Sequence, residues 1–144
     1  MGTQERVIVC GCRDWDDRER LESALSRHCA DRIVGHDVQT LVFVHGDCPT
    51  GADKMADDLI GRMRATWSVY TEAHQADWDT DGPAAGPLRN EKMAKLGATV
   101  CFAFWDGKSK GTADMIRRAT AHGIPVRIIP KAKPLDPAVG KESE

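Results

Sequence analysis

Five times along this chain a short apolar run ends in a loop, and after each of the first four the apolar residues resume at helical spacing. The runs are Arg6 to Cys10, Thr40 to His45, Ser68 to Ala73, Ala98 to Phe104 and Pro125 to Ile129. After its first residue Arg-Val-Ile-Val-Cys is continuously apolar rather than alternating, which predicts a central strand covered on both faces. Leu21, Ala24, Leu25 and His28 share one helical face, and Ala52, Met55, Ala56, Leu59, Ile60 and Met63 keep the most regular helical pattern in the chain. Further helices are predicted from about Leu88 to Leu96, stopped by Gly97, and from about Thr112 to His122, stopped by Gly123. Such alternation predicts an α/β domain: a three-layer sandwich with a mainly parallel five-stranded sheet and right-handed crossovers. The expected strand order is 3-2-1-4-5.

In that architecture every loop following a strand opens on one edge of the sheet, and ligands bind at the crevice where the strand order reverses. With this order, Gly11 to Asp14 faces Asp106 to Thr112 across the crevice. The stretch from Ala98 to Ile116 is the clearest junction, an apolar strand that breaks at Asp106-Gly107 and restarts as a helix after Gly111-Thr112. A helix start leaves backbone N–H groups without intrahelical partners, and together with the helix dipole these favour a bound anion, most often a phosphate. The plain alternative is a glycine turn with a threonine cap that serves only the helix.

A chain of 144 residues fits one core, so a single domain is expected over 1–130, with a mobile, proline-rich and charged tail over 131–144. The formal net charge of −2 gives no general basic surface, so nucleic acid is not an expected partner. No apolar run is long enough to span a bilayer, and the N-terminus lacks the pattern of a signal peptide, so a cytosolic protein is expected. Cys10, Cys12, Cys29, Cys48 and Cys101 are odd in number and two lie inside predicted strands, which favours reduced thiols.

Several loop residues are candidates for chemistry. Gly11, Cys12 and Arg13 follow the first strand, and Arg13 is a candidate phosphate partner. Arg89 and Asn90 follow Gly86-Pro87 at a helix start, which aims the arginine either at the crevice or at solvent. Trp78, in the long stretch from His74 to Pro87, and Trp105, after the fourth strand, could stack on a base or pack their loops against the sheet. Trp15 and Trp67 read as core or surface packing. Asp14, Asp53, Asp77, Asp106 and Asp114 stand near strand ends or helix starts, as turn and cap residues or as contacts to ribose or a proton. Thr50-Gly51-Ala52-Asp53 resembles a capping box. Cys10, Cys12, His45 and Cys48 offer zinc-type ligand atoms, but nothing fixes them as a tetrahedron, and neither a metal nor a cofactor is expected.

Five pieces in order resemble one family: Val-Ile-Val-Cys-Gly-Cys-Arg-Asp-Trp (7–15), Val-His-Gly-Asp-Cys-Pro-Thr-Gly-Ala-Asp (44–53), Ala-Asp-Trp (76–78), Ala-Gly-Pro-Leu-Arg-Asn (85–90) and Gly-Thr-Ala-Asp-Met (111–115). They resemble the YspA-type, cpYpsA-related branch of the SLOG superfamily, which occurs in bacteria and phages. The resemblance covers about residues 6–129 and implies a Rossmann-like fold that binds nucleotides or nucleotide-derived molecules. Relatives in the superfamily include the LOG phosphoribohydrolases, the DprA DNA-processing proteins and ligand-sensing domains of antiphage systems. By that resemblance Gly11, Cys12 and Arg13 match the first loop, where serine is usual at the place of Cys12. His45, Gly46, Gly51, Ala52 and Asp53 match the second motif, and Asp77 and Trp78 the third piece. Arg89 and Asn90 match the motif that supplies a catalytic arginine in the hydrolases, and Gly111-Thr112 matches their phosphate-binding Gly-Thr.

Two departures bear on chemistry. The Pro-Gly-Gly of the hydrolases is replaced by Trp105-Asp106-Gly107-Lys108-Ser109-Lys110, and their terminal glutamate falls on Met115. A thioether can neither stabilise an oxocarbenium nor position water. Asp114, one residue earlier, points about 100° away around the helix. The leading expectation is therefore a binder of a nucleotide-derived small molecule, acting as sensor, sequestering protein or processing factor. The alternatives are an N-glycosidase or phosphoribohydrolase using Arg89 with Asp114 or Asp53, and a DprA-like single-stranded DNA accessory protein. The resemblance also implies self-association, as a dimer or higher oligomer.

Overall fold

A computed structural model describes residues 3–131. Its five strands are β1 (Gln4–Gly11), β2 (Thr40–His45), β3 (Val69–Ala73), β4 (Val100–Trp105) and β5 (Val126–Pro130). Every neighbouring pair is parallel and the order is β3-β2-β1-β4-β5, as the alternation predicts. The helices are α1 (Arg18–Cys29), α2 (Gly51–Met63), α3 (Trp78–Asp81), α4 (Ala85–Leu96) and α5 (Lys110–Ala121). Apart from Lys131, the expected tail lies outside the described residues.

β1 shows how the pleat divides the core. Its Val7 and Val9 join Leu21 and Leu25 of α1 and Ala56, Leu59 and Ile60 of α2 in one apolar cluster. The intervening Ile8 and Cys10 join Met93 and Ala94 of α4 and Met115 and Ala119 of α5 in a second. Successive side chains of a strand point to opposite faces, so a continuously apolar strand is what a sheet between two helical layers requires. Phe43, Phe102 and Phe104 are fully buried, each contributing about 1.5–3 kcal/mol of apolar burial. Trp15 is buried against Phe104, with ring centroids 5.4 Å apart, and Trp67 packs partly buried on the same cluster.

Local structure departs from expectation in four places. After Cys29 the chain widens into a π-type turn, Ala30–Gly35, which tucks Ile33 against the core. The stretch after β3 is not a plain loop. Asp77 caps α3 by accepting from Thr80 N, and a 3₁₀ turn, Gly82–Ala84, runs on into α4. That helix therefore starts at Ala85, and Pro87 falls in its first turn, where a missing N–H breaks no intrahelical bond. Helix α5 starts at Lys110, so Gly111 and Thr112 lie inside its first turn. The capping box does not close: Thr50 Oγ1 donates to Arg13 O at 2.9 Å, and Asp53 Oδ2 accepts from Cys48 N at 3.2 Å.

Candidate functional site

The carboxyl ends of β1 and β2, the amino-terminal half of α4 and the first turn of α5 surround one cavity of ≈ 90 Å³. Of the residues predicted from sequence, Gly11, Arg13, Gly46, Asp53, Arg89, Asn90, Gly111 and Thr112 line it together. Gly11 and Arg13, after β1, thus share one lining with Ser109, Gly111 and Thr112, although no residue of β4 itself reaches it.

The wall formed by α5 begins with Asp106. Its Oδ1 accepts from Lys108 N and Ser109 N, both at 2.8 Å, which sets the approach to the helix and holds the Asp106 carboxyl below its ordinary range. The first intrahelical bond runs from Ala113 N to Ser109 O, so the N–H groups of Lys110, Gly111 and Thr112 precede the ladder. A Cβ added at Gly111 would meet nothing within 4 Å, so the backbone there is open to close approach. Thr112 is buried, and its hydroxyl donates to Ser109 Oγ at 3.2 Å.

Arg89 supplies the opposing cation. Its Nη1 donates to Gly46 O at 2.7 Å and to His74 O at 3.3 Å, and its Nε donates to Asn90 Oδ1 at 2.9 Å. Nη2 has no acceptor among the described residues, which leaves one edge of the fork for a ligand. Asp53 lies buried in the same lining, and burial pushes its carboxyl above the ordinary range against hydrogen bonds from the loop and the charge of Arg89. Cys10 forms part of the floor, its Sγ 3.9 Å from Cys101 Sγ. That contact and burial hold the Cys10 thiol well above its usual value, so it is protonated.

An aspect of the glycines is structural. A Cβ on Gly11 would stand 2.5 Å from Ala52 Cβ and 2.8 Å from Phe104 O, so this glycine lets α2 and β4 close on the end of β1. Gly51 has φ +74° and packs on the backbone of Cys12 and Arg13. These contacts hold the first and second loops together, whatever the cavity takes.

A family model described as YspA, cpYpsA-related SLOG family matches residues 5–80. The chain is also 42% identical over 122 residues to the gene 61 protein of Mycobacterium phage D29, covering 84% of this chain and 93% of that protein. The chain belongs to the YspA, cpYpsA-related SLOG family. Membership points to nucleotide-related binding or processing, and the resemblance read from five motifs is borne out.

Other motif residues of this SLOG chain sit outside the cavity. Cys12 is buried in the core, donates through Sγ to Phe104 O at 3.6 Å, and has its thiol raised by burial and by Asp106 and Asp14. Those three residues bring ligand-type atoms within 4.8 Å of one another, and Cys12 Sγ is engaged with Phe104 O. His45 is buried with both ring nitrogens engaged: Nδ1 accepts from Asp47 N at 2.9 Å, so Nε2 carries the hydrogen that faces Asp57 at 3.0 Å. Trp105 donates its indole N–H to Ser109 O at 3.0 Å, which braces the start of α5 rather than presenting a face to the cavity. Trp78 is 50% exposed, lies over Gly86, and lines an outer hollow with Gln75, Asp77 and Asp79.

At the place of the hydrolase glutamate, the Met115 side chain is fully buried and lines the cavity. Asp114 turns the other way, into hydrogen bonds with Asn90, Arg117 and Arg118. Sequence reasoning missed Cys48 and Ser109 in the lining. A serine just before Lys110-Gly111-Thr112 is a preferred residue ahead of a helix, and that signal would have found Ser109. No helix among the described residues is long and apolar enough to cross a membrane.

Proposed function

We propose that this chain binds a nucleotide or nucleotide-derived small molecule at the carboxyl edge of its sheet, as a sensor, sequestering protein or processing factor. A phosphate lies against the first turn of α5, with Arg89 Nη2 and Arg13 opposite. The observation that carries this reading is convergence: one cavity receives both a helix N-terminus and a guanidinium already anchored on two carbonyl oxygens. A volume of ≈ 90 Å³ suits the phosphate group alone, because pockets enclosing a whole small molecule run to about 300–1,000 Å³. The rest of the ligand follows the open hollow beyond Cys48 and Asp53, toward Asp47 and Gln75.

Thermal-shift titration against inorganic phosphate, nucleoside phosphates, ADP-ribose variants and cyclic dinucleotides tests the reading. A cognate ligand at a hundred times its dissociation constant stabilises the fold by about 2.7 kcal/mol, and Arg89→Ala removes that gain. If none of these stabilises the protein and Arg89→Ala behaves as wild type, the reading fails.

A second reading, cleavage of an N-glycosidic bond, draws support from Asp53. A buried carboxyl with a raised pKa beside a cation suits proton delivery to a leaving base. Release of free base from nucleoside monophosphates, abolished in Arg89→Ala and Asp53→Asn, would place this reading first. A broad panel without turnover would remove it.

A further inference from the structure

Behind the Arg89 guanidinium lies a buried polar chain that no ligand contact explains. Asn90 is 5% exposed and Asp114 8%. Asn90 Oδ1 accepts from Arg89 Nε at 2.9 Å, while Nδ2 donates to Asp114 Oδ2 at 3.0 Å and to Gly111 O at 3.3 Å. Asp114 is held in turn by Arg118 Nε at 2.8 Å and Arg117 Nη2 at 3.0 Å. The chain thus runs from two arginines on α5, through a carboxylate and an amide, to the arginine in the cavity wall.

The chemistry of the amide gives this chain a direction. An Asn side chain has one accepting and one donating end, and its partners decide which way it lies. An ionised carboxylate only accepts, so the end of Asn90 that faces Asp114 must be the NH₂. The oxygen is then forced toward Arg89 Nε–H. Arg89 already gives Nη1 to two carbonyls, and a third bond through Nε, outside that pair, fixes the plane of the fork. The same amide also holds Gly111 O, at the start of α5. One side chain therefore sets the spacing between a cation on α4 and the helix N-terminus on α5.

We infer that Asp114 and Asn90 are positioning residues: Asp114 orients the Asn90 amide, and the amide orients the Arg89 guanidinium toward the cavity. The consequence for ligands rests on the anion-binding reading above, but the orientation itself is a property of the free protein. It also gives Asp114 a role that needs no contact with substrate.

The Arg89 Nε–H resonance in ¹H–¹⁵N spectra, assigned by its loss in Arg89→Lys, reads the orientation directly. In wild-type protein this proton is protected and sharp. In Asp114→Asn the Asn90 NH₂ loses its charged acceptor and keeps only neutral ones, so the amide is held more loosely against Arg89 Nε–H, and the resonance shifts and loses protection. Asn90→Ala removes the acceptor and does the same, which keeps the test decisive if Asp114→Asn fails to fold. Titration with inorganic phosphate shows affinity falling about tenfold in each variant, and not falling much further in the double variant, because both act through one guanidinium. An Arg89 Nε–H unchanged in a folded Asp114→Asn or Asn90→Ala protein overturns the inference. Phosphate that binds neither wild type nor variants overturns the anion reading instead, and the resonance still decides the relay.

Discussion

The guanidinium of Arg89 occupies the space that a side chain on residue 46 would need. A Cβ built on Gly46 would stand 2.7 Å from Arg89 Cζ and closer still to Nη1, and the same Nη1 donates to Gly46 O. The end of β2 thus both admits the arginine and anchors it. Gly46 is not among the glycines with positive φ, so alanine there brings no backbone strain. Gly46→Ala is expected to push the guanidinium aside. Loss of hydrogen bonds to a charged group costs about 1.5–3 kcal/mol, which is about ten- to a hundredfold in phosphate affinity by calorimetry. The melting temperature falls as well, because the free protein loses the bonds from Nη1 to Gly46 O and His74 O. Undiminished affinity in the alanine variant would count against Arg89 as the anion's partner.

Asp53 stands in the same cavity lining. Burial raises its carboxyl above the ordinary 3.8, so between 3.8 and that higher folded value the folded state keeps a proton the unfolded state has released. Stability therefore falls as pH rises through that window, and the cost persists at neutral pH. Asp53→Asn removes the cost while keeping an oxygen for Cys48 N, so its melting temperature at pH 7 should rise. A lower melting temperature at pH 7 would show that the carboxylate is needed to hold the loop after β2.

The strand order and the convergence of loops were legible because parallel strands buried on both faces are continuously apolar and their ends fall on glycine or a turn. Three things were not. Four residues of α3 are too few to show a helical period, so Trp78 to Asp81 read as loop. The start of α5 was displaced because Asp106 folds Lys108 and Ser109 into the helix entry, a tertiary arrangement in which glycine sits inside the first turn. The partners of His45 and Cys12 lie in other elements, Asp57 in α2 and Phe104 in β4, and motif spacing carries no record of them. The rotation that separates Asp114 from Met115, by contrast, follows from helical geometry alone and was readable beforehand.

Glu72 gives the fold its acid limit. Both its carboxylate oxygens take Arg6, at 2.9 and 2.7 Å, across β2, and His74 Nε2 lies 2.6 Å from Oε2. The Arg6 hydrogen bonds foremost hold its pKa at about 2, against an ordinary 4.5. A depressed carboxylate contributes stability that is full above 4.5 and lost as pH falls toward about 2. Glu72→Gln should lower the melting temperature at pH 7 and flatten its decline across that acid window. An acid limb as steep as that of wild type would assign the loss to other carboxyls.

His28 should act in a separate window. Its ring is buried edge-on to Phe102, with centroids 5.2 Å apart, and Nε2 has no hydrogen-bond partner among the described residues. Burial, then the charges of Arg127 and Arg32, lower its pKa from 6.5. The unfolded chain therefore takes up a proton near pH 6.5 that the folded chain refuses, and stability falls as pH drops from 6.5 toward the lower folded value. Leucine at this position fills a similar volume without a stranded nitrogen, and replacing an unsatisfied buried polar group is worth about 1–3 kcal/mol at most. His28→Leu should raise the melting temperature, and the gain should be larger at pH 5 than at pH 8. A gain equal at both pH values would mean that the folded imidazole takes up its proton as readily as the unfolded one, and a loss at pH 8 would mean that its edge contact with Phe102 outweighs the missing hydrogen bond.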